Sequence, residues 1–368
     1  MQDSRLRVLF LPLYPETMPS SRLRVYQYLP YLERWGIDGT VIPALSEPWF
    51  SRLYYSSSKW IHLVQYSIEV FQNLRRFCQG RKQDILFIQK GILCTNLRGF
   101  DRLIGRAHRR LIFDLDDSVY GKNPIEFNSP LLRMLQDSEQ AAKISSRSRA
   151  VIAGNAYLKE RALQYNRNVY VIPTPVDTNR FSPRKESPRP GGDEVVIGWI
   201  GIWGTVQWVR PLEKVFQELS RRYPIRIKFI TRPDGGPFDW PQTRFEVVRW
   251  SYETEVQEMG DFDIGVMPLP DTEWSKGKCS LKLLQYMAMG LPSVSSRVGM
   301  NCEVVEDGVD GFLASDADEW IQKLSRLIED SSLRARMGER AREKAVTRYS
   351  LEHTVPLLAD VLRKVAQD

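Results

Sequence analysis

"KGKCSLKLLQYMAMGLPSVSS", Lys276 to Ser296, is the stretch on which the reading of this chain turns. Lys276, Gly277, Lys278, Cys279 and Ser280 lead into an apolar run that also carries Lys282 near its start. The run predicts a helix, Gly290-Leu291-Pro292 stops it, and "PSVSS" resumes as a strand. A helix start already carries a partial positive charge and ordinarily attracts acids. Lysines gathered there imply that an anion sits at that end. Lys278 and Lys282 are four apart, a spacing that puts both ammoniums on one face. Together with the free N–H groups near Ser280 they would make a diphosphate site without a metal. Gln285, further along the helix, would reach a ribose diol. On pattern alone the same residues read equally well as two solvated lysines on a core helix.

The surroundings place this helix in a repeating scheme. In the first half, "RVLFLPLY", "DGTVIPAL", "DILFIQK", "RLIFDLDD", "RAVIAGN" and "NVYVIPTPVD" are short apolar runs that predict six strands. One connection, "SRLRVYQYLPYLERWG", is amphipathic and ends at Gly36. Continuous apolar strands separated by helices indicate a parallel sheet covered on both faces. "SPRKESPRPGGDE", Ser182 to Glu194, is rich in Pro, Gly and charge, and predicts a linker. The alternation then restarts with "EVVIGWIG", "WVRPLEKVFQELSRRY", "IRIKFIT", "RFEVVRW", "DIGVMPL", the opening helix, "PSVSS" and "GFLAS". From Asp316 the pattern is helical to the end. The expectation is two doubly wound α/β domains: residues 1–185 with the terminal helix 351–368, and residues 186–350. Ligands of such sheets bind outside the carboxyl ends of the strands.

The 368 residues suffice for two domains and the composition, 42% hydrophobic and 26% charged, is that of a globular protein. Four scattered cysteines without a Cys-x-x-Cys pair, and only three histidines, argue against a disulfide frame, a zinc ribbon or a histidine-rich metal site. No signal peptide or membrane-spanning stretch is evident, so a cytoplasmic protein with reduced thiols is expected. The net charge of +7 is uneven: 28 Lys and Arg against 16 Asp and Glu up to Lys185, then 24 against 29, or +12 and −5. A basic first half suits either an anionic partner, such as a membrane surface or a lipid-linked phosphate, or a plain solvated surface. Glu47–Phe77, with Trp49, Phe50, Tyr54, Tyr55 and Trp60 among basic residues, could lie on a membrane, but reads more simply as a helix packed on the sheet.

The run "DIGVMPLPDTEWSKGKCSLKLLQYMAMGLPSVSSRVGMNCEVVEDGVDGFLAS" resembles the donor-binding region of retaining nucleotide-sugar glycosyltransferases of family 4, which have the GT-B fold. "SSRLRVYQYLPYL", "VIAGNAYL", "VIPTPVDTNRF", "IGWIG" and "MGERAREKAVTRYS" extend the likeness, in order, over nearly the whole chain. The resemblance implies two Rossmann-like domains with a cleft between them and a C-terminal helix that crosses back to the first. It implies transfer from a nucleotide-sugar co-substrate to a glycan or lipid-linked acceptor, with retention, no metal and no other cofactor. No nucleic-acid partner is expected. The family usually carries two glutamates eight positions apart here; this chain has Gly277 and Gln285 instead. By the resemblance, Gly201, Gly204, Lys278, Ser280, Lys282, Gln285, Asn301 and Glu303 would face the donor. Glycine-bearing "IGWIGIWGTVQWV" has no basic residue before Arg210, so the phosphates would fall to Lys278 and Lys282.

Two more motifs bear on the chemistry. "LIFDLDDSVY" delivers Asp114, Asp116 and Asp117 to the end of a strand. Three carboxylates there admit a metal site, an acceptor side with Asp116 and Asp117 near the reacting centre, or an aspartyl nucleophile. The last resembles the D-x-D-x-T signature of haloacid-dehalogenase-like phosphatases, with Asp114 as nucleophile. In "LPLYPETMPSSRLRVYQ" a strand ends and a loop runs to Ser20, Ser21, Arg22 and Arg24, at a helix start. With Gln89 and Lys90 they are candidates for an anionic acceptor, or simply an N-cap and a solvated helix face. The reading is a GT-B glycosyltransferase; a non-catalytic scaffold with the same fold is the alternative that the missing acids motivate.

Overall fold

The computed structural model describes residues 5–47, 82–92, 108–121, 136–184, 194–231 and 243–367, with isolated positions elsewhere. The aromatic stretch Glu47–Phe77 lies almost wholly outside these, as does most of the expected linker. The described residues form two compact units: Met1–Thr174 with Gly277–Cys279 and Thr354–Asp368, and Pro175–Lys276 with Ser280–His353. Each has its own six-stranded sheet with every pairing parallel.

In the first unit β1 (Leu6–Pro12), β2 (Ile37–Val41), β3 (Ile85–Gln89), β4 (Leu111–Leu115), β5 (Ala150–Ala153) and β6 (Val169–Val171) lie in the order β2-β1-β3-β4-β5-β6. The interior strands β3, β4 and β5 are buried throughout, as their unbroken apolar runs require. Edge strand β2 is exposed over Asp38–Thr40. The helix expected over "SRLRVYQYLPYLERWG" is broken into α1 (Pro19–Arg24), a 3-10 turn (Tyr26–Tyr28) and α2 (Leu29–Arg34). Pro30 sits in the first turn of α2, where a missing N–H is harmless, but it could not have continued a helix begun at Pro19. Helices α3 (Gln140–Arg147) and α4 (Ala156–Leu163) follow; Asn155 caps α4 by accepting from Leu158 N at 2.8 Å.

In the second unit β7 (Val195–Ile200), β8 (Ile225–Thr231), β9 (Phe245–Arg249), β10 (Ile264–Met267), β11 (Ser293–Ser296) and β12 (Phe312–Ala314) take the order β12-β11-β10-β7-β8-β9. The helices are α5 (Trp203–Val206), α6 (Glu213–Arg222), α7 (Glu255–Met259), α8 (Glu273–Lys276), α9 (Leu281–Ala288), α10 (Asn301–Val304), α11 (Ala317–Glu329) and α12 (Ser331–Arg348). One core joins β7, β8, β10 and α6 to α11, around Ile197, Trp199, Phe216, Phe229, Val266 and Leu324. The helix expected from Trp208 starts only at Glu213, because Pro211 holds Arg210–Leu212 in a 3-10 turn. The last helix, α13, runs Leu351–Gln367, and from Thr354 it groups with the first unit.

Both sheets start in their interior. β1 pairs with β2 on one side and β3 on the other; β7 pairs with β8 and β10. Connections therefore leave these central strands in opposite directions, opening a crevice at the carboxyl ends of β1/β3 and of β7/β10. Ligand sites of such sheets lie at these two switch points. Among the described residues no helix is long and apolar enough to cross a membrane.

Candidate functional site

In the second unit the opening stretch forms α9. Leu281–Ala288 is built almost wholly from good helix formers. It ends where Gly290 takes φ +69° and the N–H groups of Gly290 and Leu291 turn back to Met287 O and Tyr286 O, each at 2.9 Å. Tyr286 ties it to the switch point. The hydroxyl accepts from Ile200 N at 3.3 Å, at the end of β7, and donates to Val266 O at 3.2 Å, on β10. Gly198 and Gly265 face each other across these strands. A Cβ on Gly265 would come 2.4 Å from the Tyr286 ring, and one on Gly198 would come 2.1 Å from Phe262, so the ring seats exist only because both residues are glycine.

The start of α9 is held by an unusual residue. Ser280 has φ +48°, a left-handed conformation that a non-glycine residue adopts only under constraint. The constraint is visible: Ser280 Oγ donates to Asn301 Oδ1 at 2.8 Å, and Asn301 Nδ2 donates to Ser296 O at 3.0 Å. Leu284 N donates to Ser280 O at 3.2 Å, so the earlier N–H groups of the first turn have no acceptor within the helix. Lys282, in that turn, lies with its ammonium 5.6 Å from the centroid of the Trp199 ring on β7. Gln285 is 7% exposed, and its amide makes no hydrogen bond among the described residues.

The expected donor residues thus separate. Lys282 lies in the first turn of α9 beside Trp199, and Gln285 lies one turn further along. Ser280 and Asn301 are buried and spend their side chains on each other, so they shape the helix start. Glu303 is exposed on α10. Gly201 follows β7, and a Cβ there would come 2.4 Å from the Trp199 ring. Its bareness makes room for the Trp199 ring. Gly204 lies inside helix α5, not in a turn.

In the first unit, register aligns Pro12, Gln89 and Asp114 across β1, β3 and β4. Here Ser20, Ser21, Gln89 and Asp116 form one network. Ser20 Oγ donates to Asp116 Oδ2 at 2.5 Å, Gln89 Nε2 donates to Ser20 Oγ at 2.8 Å and to Asp116 Oδ1 at 3.1 Å, and Ser21 Oγ donates to Gln89 Oε1 at 3.1 Å. Ser21 is fully buried and also accepts from Tyr14 N, so it holds the loop and does not face an acceptor.

Arg24 corrects the sequence reading more sharply. It is 2% exposed and grips Asp114 with both Nε, at 3.0 Å, and Nη2, while Nη1 donates to Ile172 O at 2.8 Å. Burial works against its charge, yet the Asp114 carboxylate outweighs that and the guanidinium pKa is raised. Arg24 is therefore an internal strut. Asp114, the nucleophile of the phosphatase reading, is 1% exposed with both oxygens held by Arg24, which removes that reading. Arg22 alone of the two arginines is partly exposed; its Nη1 donates to Thr17 O at 3.3 Å.

Asp117 stands between two lysines, Lys90 at 3.1 Å and Lys278 at 2.8 Å. Burial alone would push its carboxyl up, but the two ammoniums bring its pKa down to about 2. Burial likewise depresses both lysines. For Lys90, which has φ +68°, Asp117 and Asp116 reverse the effect and the pKa is raised. For Lys278 burial prevails and the pKa is lowered. Lys278, expected at the donor phosphates, is thus spent on Asp117. Its segment is fixed by Asn155 Nδ2, which donates to Lys278 O at 3.0 Å, and by Cys279, whose Sγ fills the space a Cβ on Gly154 would need. The three aspartates face three different sets of partners, and among the described residues no cluster of acids, His or Cys is arranged to hold a metal. Sequence reasoning missed Trp199 and Tyr286; the paired glycines Gly198 and Gly265 were the one available sign of aromatic rings close by.

Residues 199–330 match the family model described as glycosyl transferases group 1. N-acetyl-alpha-D-glucosaminyl L-malate synthase of Bacillus anthracis is 33% identical over 95 residues, which is 25% of this chain and 25% of that protein. The chain therefore matches only about a quarter of that relative's length. HepE of Anabaena, solved in complex with UDP and glucose, superposes with a TM-score of 0.66 at 17% identity, covering 97% of this chain and 99% of that one. Sucrose-phosphate synthase of Thermosynechococcus elongatus gives a TM-score of 0.71 at 12% identity, with 98% and 99% covered. The chain has the GT-B fold, and the stretch similar to glycosyl transferases group 1 covers most of its second unit.

Proposed function

We propose that the chain moves a sugar from a nucleotide-sugar donor to a glycan or lipid-linked acceptor, with retention at the anomeric carbon and without a metal. The observation that carries this reading is the start of α9: first-turn N–H groups with no acceptor inside the helix and the Lys282 ammonium beside the end of β7, within the group 1 segment. When the glycosidic bond to the nucleotide breaks, negative charge grows on the departing diphosphate. Fixed N–H dipoles and an ammonium at that position favour the transition state over the ground state. Gln285, 7% exposed and with an amide that makes no hydrogen bond among the described residues, suits the ribose diol. On the first unit Arg22, Lys90 and Asp116 remain as acceptor contacts, with Asp116 the polar group for the incoming hydroxyl. Lys278 leaves the donor set and acts by neutralising Asp117.

HepE binds UDP, which makes UDP the first nucleotide to try. Calorimetric titration of UDP, GDP, ADP and their common sugar conjugates, on wild type and Lys282→Ala, tests the reading. A charged hydrogen bond to phosphate is worth about 1.5–3 kcal/mol, so affinity should fall roughly 10- to 100-fold in the variant. Failure of the wild type to bind any of them would leave a non-catalytic scaffold. Product stereochemistry by NMR, with and without EDTA, tests retention and metal independence. A cytoplasmic location with peripheral contact through the basic first half belongs to the same proposal; no flotation with anionic liposomes at low salt would refute the contact.

A further inference from the structure

We propose that Trp199 is a positioning residue, whose buried indole ring holds the Lys282 ammonium at the end of β7 for the terminal phosphate of a nucleoside diphosphate. The inference rests on the donor site proposed above and concerns what fixes its cation.

A lysine in the first turn of a helix has four rotatable bonds and no intrinsic reason to hold one position. It is also repelled by the helix dipole. Something must offset both. The Trp199 ring does so through its negative face, which attracts an ammonium within about 6 Å of the centroid; Lys282 Nζ is at 5.6 Å. The ring is itself immobile. Trp199 is 2% exposed, its ring packs 5.2 Å from that of Phe229, and the bare Gly201 backbone closes over it where any Cβ would come 2.4 Å from the ring. Thr205 Oγ1 would lie 2.9 Å from the same Cβ, so the turn after β7 is shaped around the ring. Trp199 is the last residue but one of β7, and β7 borders the switch-point crevice. The ammonium is thereby held where a ligand of this sheet would bring its charge. An aliphatic residue at 199 could fill only part of this space and would offer no face to a cation; an aromatic ring does both.

The test is a double-mutant cycle of Trp199→Leu and Lys282→Ala, read as calorimetric affinity for UDP, GDP and ADP against the matching monophosphates, with thermal melts as a fold control. Trp199→Leu should cost about 10-fold in diphosphate affinity, shrink the preference for diphosphate over monophosphate, and add less than about 2-fold once Lys282 is already alanine. Trp199→Phe, which keeps a π face, should lose only about 3-fold, and it carries the same cycle if the leucine variant does not fold. Losses that simply add in the double variant would overturn the role of Trp199 while leaving the donor site standing. A wild type that binds no nucleoside diphosphate, or a Lys282→Ala variant that binds as well as wild type, would overturn the donor-site reading and this inference with it.

Discussion

Gly277 lies flush against the backbone of Ser118: a Cβ built on the glycine would come 2.6 Å from the Ser118 Cβ and 2.8 Å from its amide nitrogen. Backbone cannot yield as a flexible side chain can. This explains the missing acid: the position that resembles a family glutamate has no room for any side chain. Restoring that acid as Gly277→Glu should therefore destabilise the protein by about 1–3 kcal/mol and should not raise activity. Thermal and urea unfolding check the first expectation. A variant that melts with the wild type and turns over faster would mean that the segment sits elsewhere.

Two arginines two residues apart should behave in opposite ways. Arg24 and Asp114 form a buried pair, and removing one partner strands a charge, so Arg24→Ala should cost about 3–5 kcal/mol of stability. Arg22 is partly exposed and its Nη1 donates to Thr17 O at 3.3 Å, so Arg22→Ala should cost far less than Arg24→Ala, about a degree or two in melting temperature. If Arg22 meets an anionic acceptor, that variant should raise the acceptor KM while donor affinity stays unchanged. Equal melting losses in the two variants would contradict the assignment.

The contrast marks what can be read from a chain alone. Strands such as "DILFIQK" and "EVVIGWIG" were legible because burial on both faces demands an unbroken apolar run, and their spacing announced a doubly wound sheet. The lysines before α9 were legible because they oppose the helix dipole. Arg22 and Arg24 looked alike, because nothing local says which one turns inward to a carboxylate 90 residues away. Lys278 was misread for the same reason. The four-residue spacing to Lys282 counts only if both residues belong to the helix, and α9 begins after Ser280, whose left-handed backbone has no sequence signature. Ser20 and Gln89 meet Asp116 through register between distant strands, which no single segment contains.

Asp117 ties stability to pH. Its carboxyl titrates near 2 in the folded protein, below the ordinary value of 3.8, because Lys90 and Lys278 outweigh its burial. A depressed folded pKa contributes stability that is complete above the unfolded value and disappears as pH falls through the folded one. Asp117 should thus contribute about 2 kcal/mol above pH 5 and lose it between about pH 4 and pH 2. Asp117→Asn should be less stable than wild type at pH 7, and the gap should narrow as pH drops through that window. Urea unfolding of both proteins from pH 7 to pH 2 measures it. A constant gap would place the ion pairs outside the folded state's energetics.

Gln285 offers the cleanest separation of function from fold. Gln285 is 7% exposed and its amide makes no hydrogen bond among the described residues, so a shape-matched apolar replacement removes no protein bond and should be nearly neutral. Leucine is close in volume and suits the helix as well as glutamine does. Gln285→Leu should therefore melt close to the wild-type temperature. If the amide is kept for a ribose diol, the same change should weaken nucleoside diphosphate binding by about 10-fold, or about 1.4 kcal/mol. It should weaken binding of a 2′,3′-dideoxy analogue far less, since that ligand has no diol to lose. Calorimetry with both ligands on both proteins decides the matter. Equal losses for the two would mean that Gln285 shapes the helix and never touches the sugar of the nucleotide.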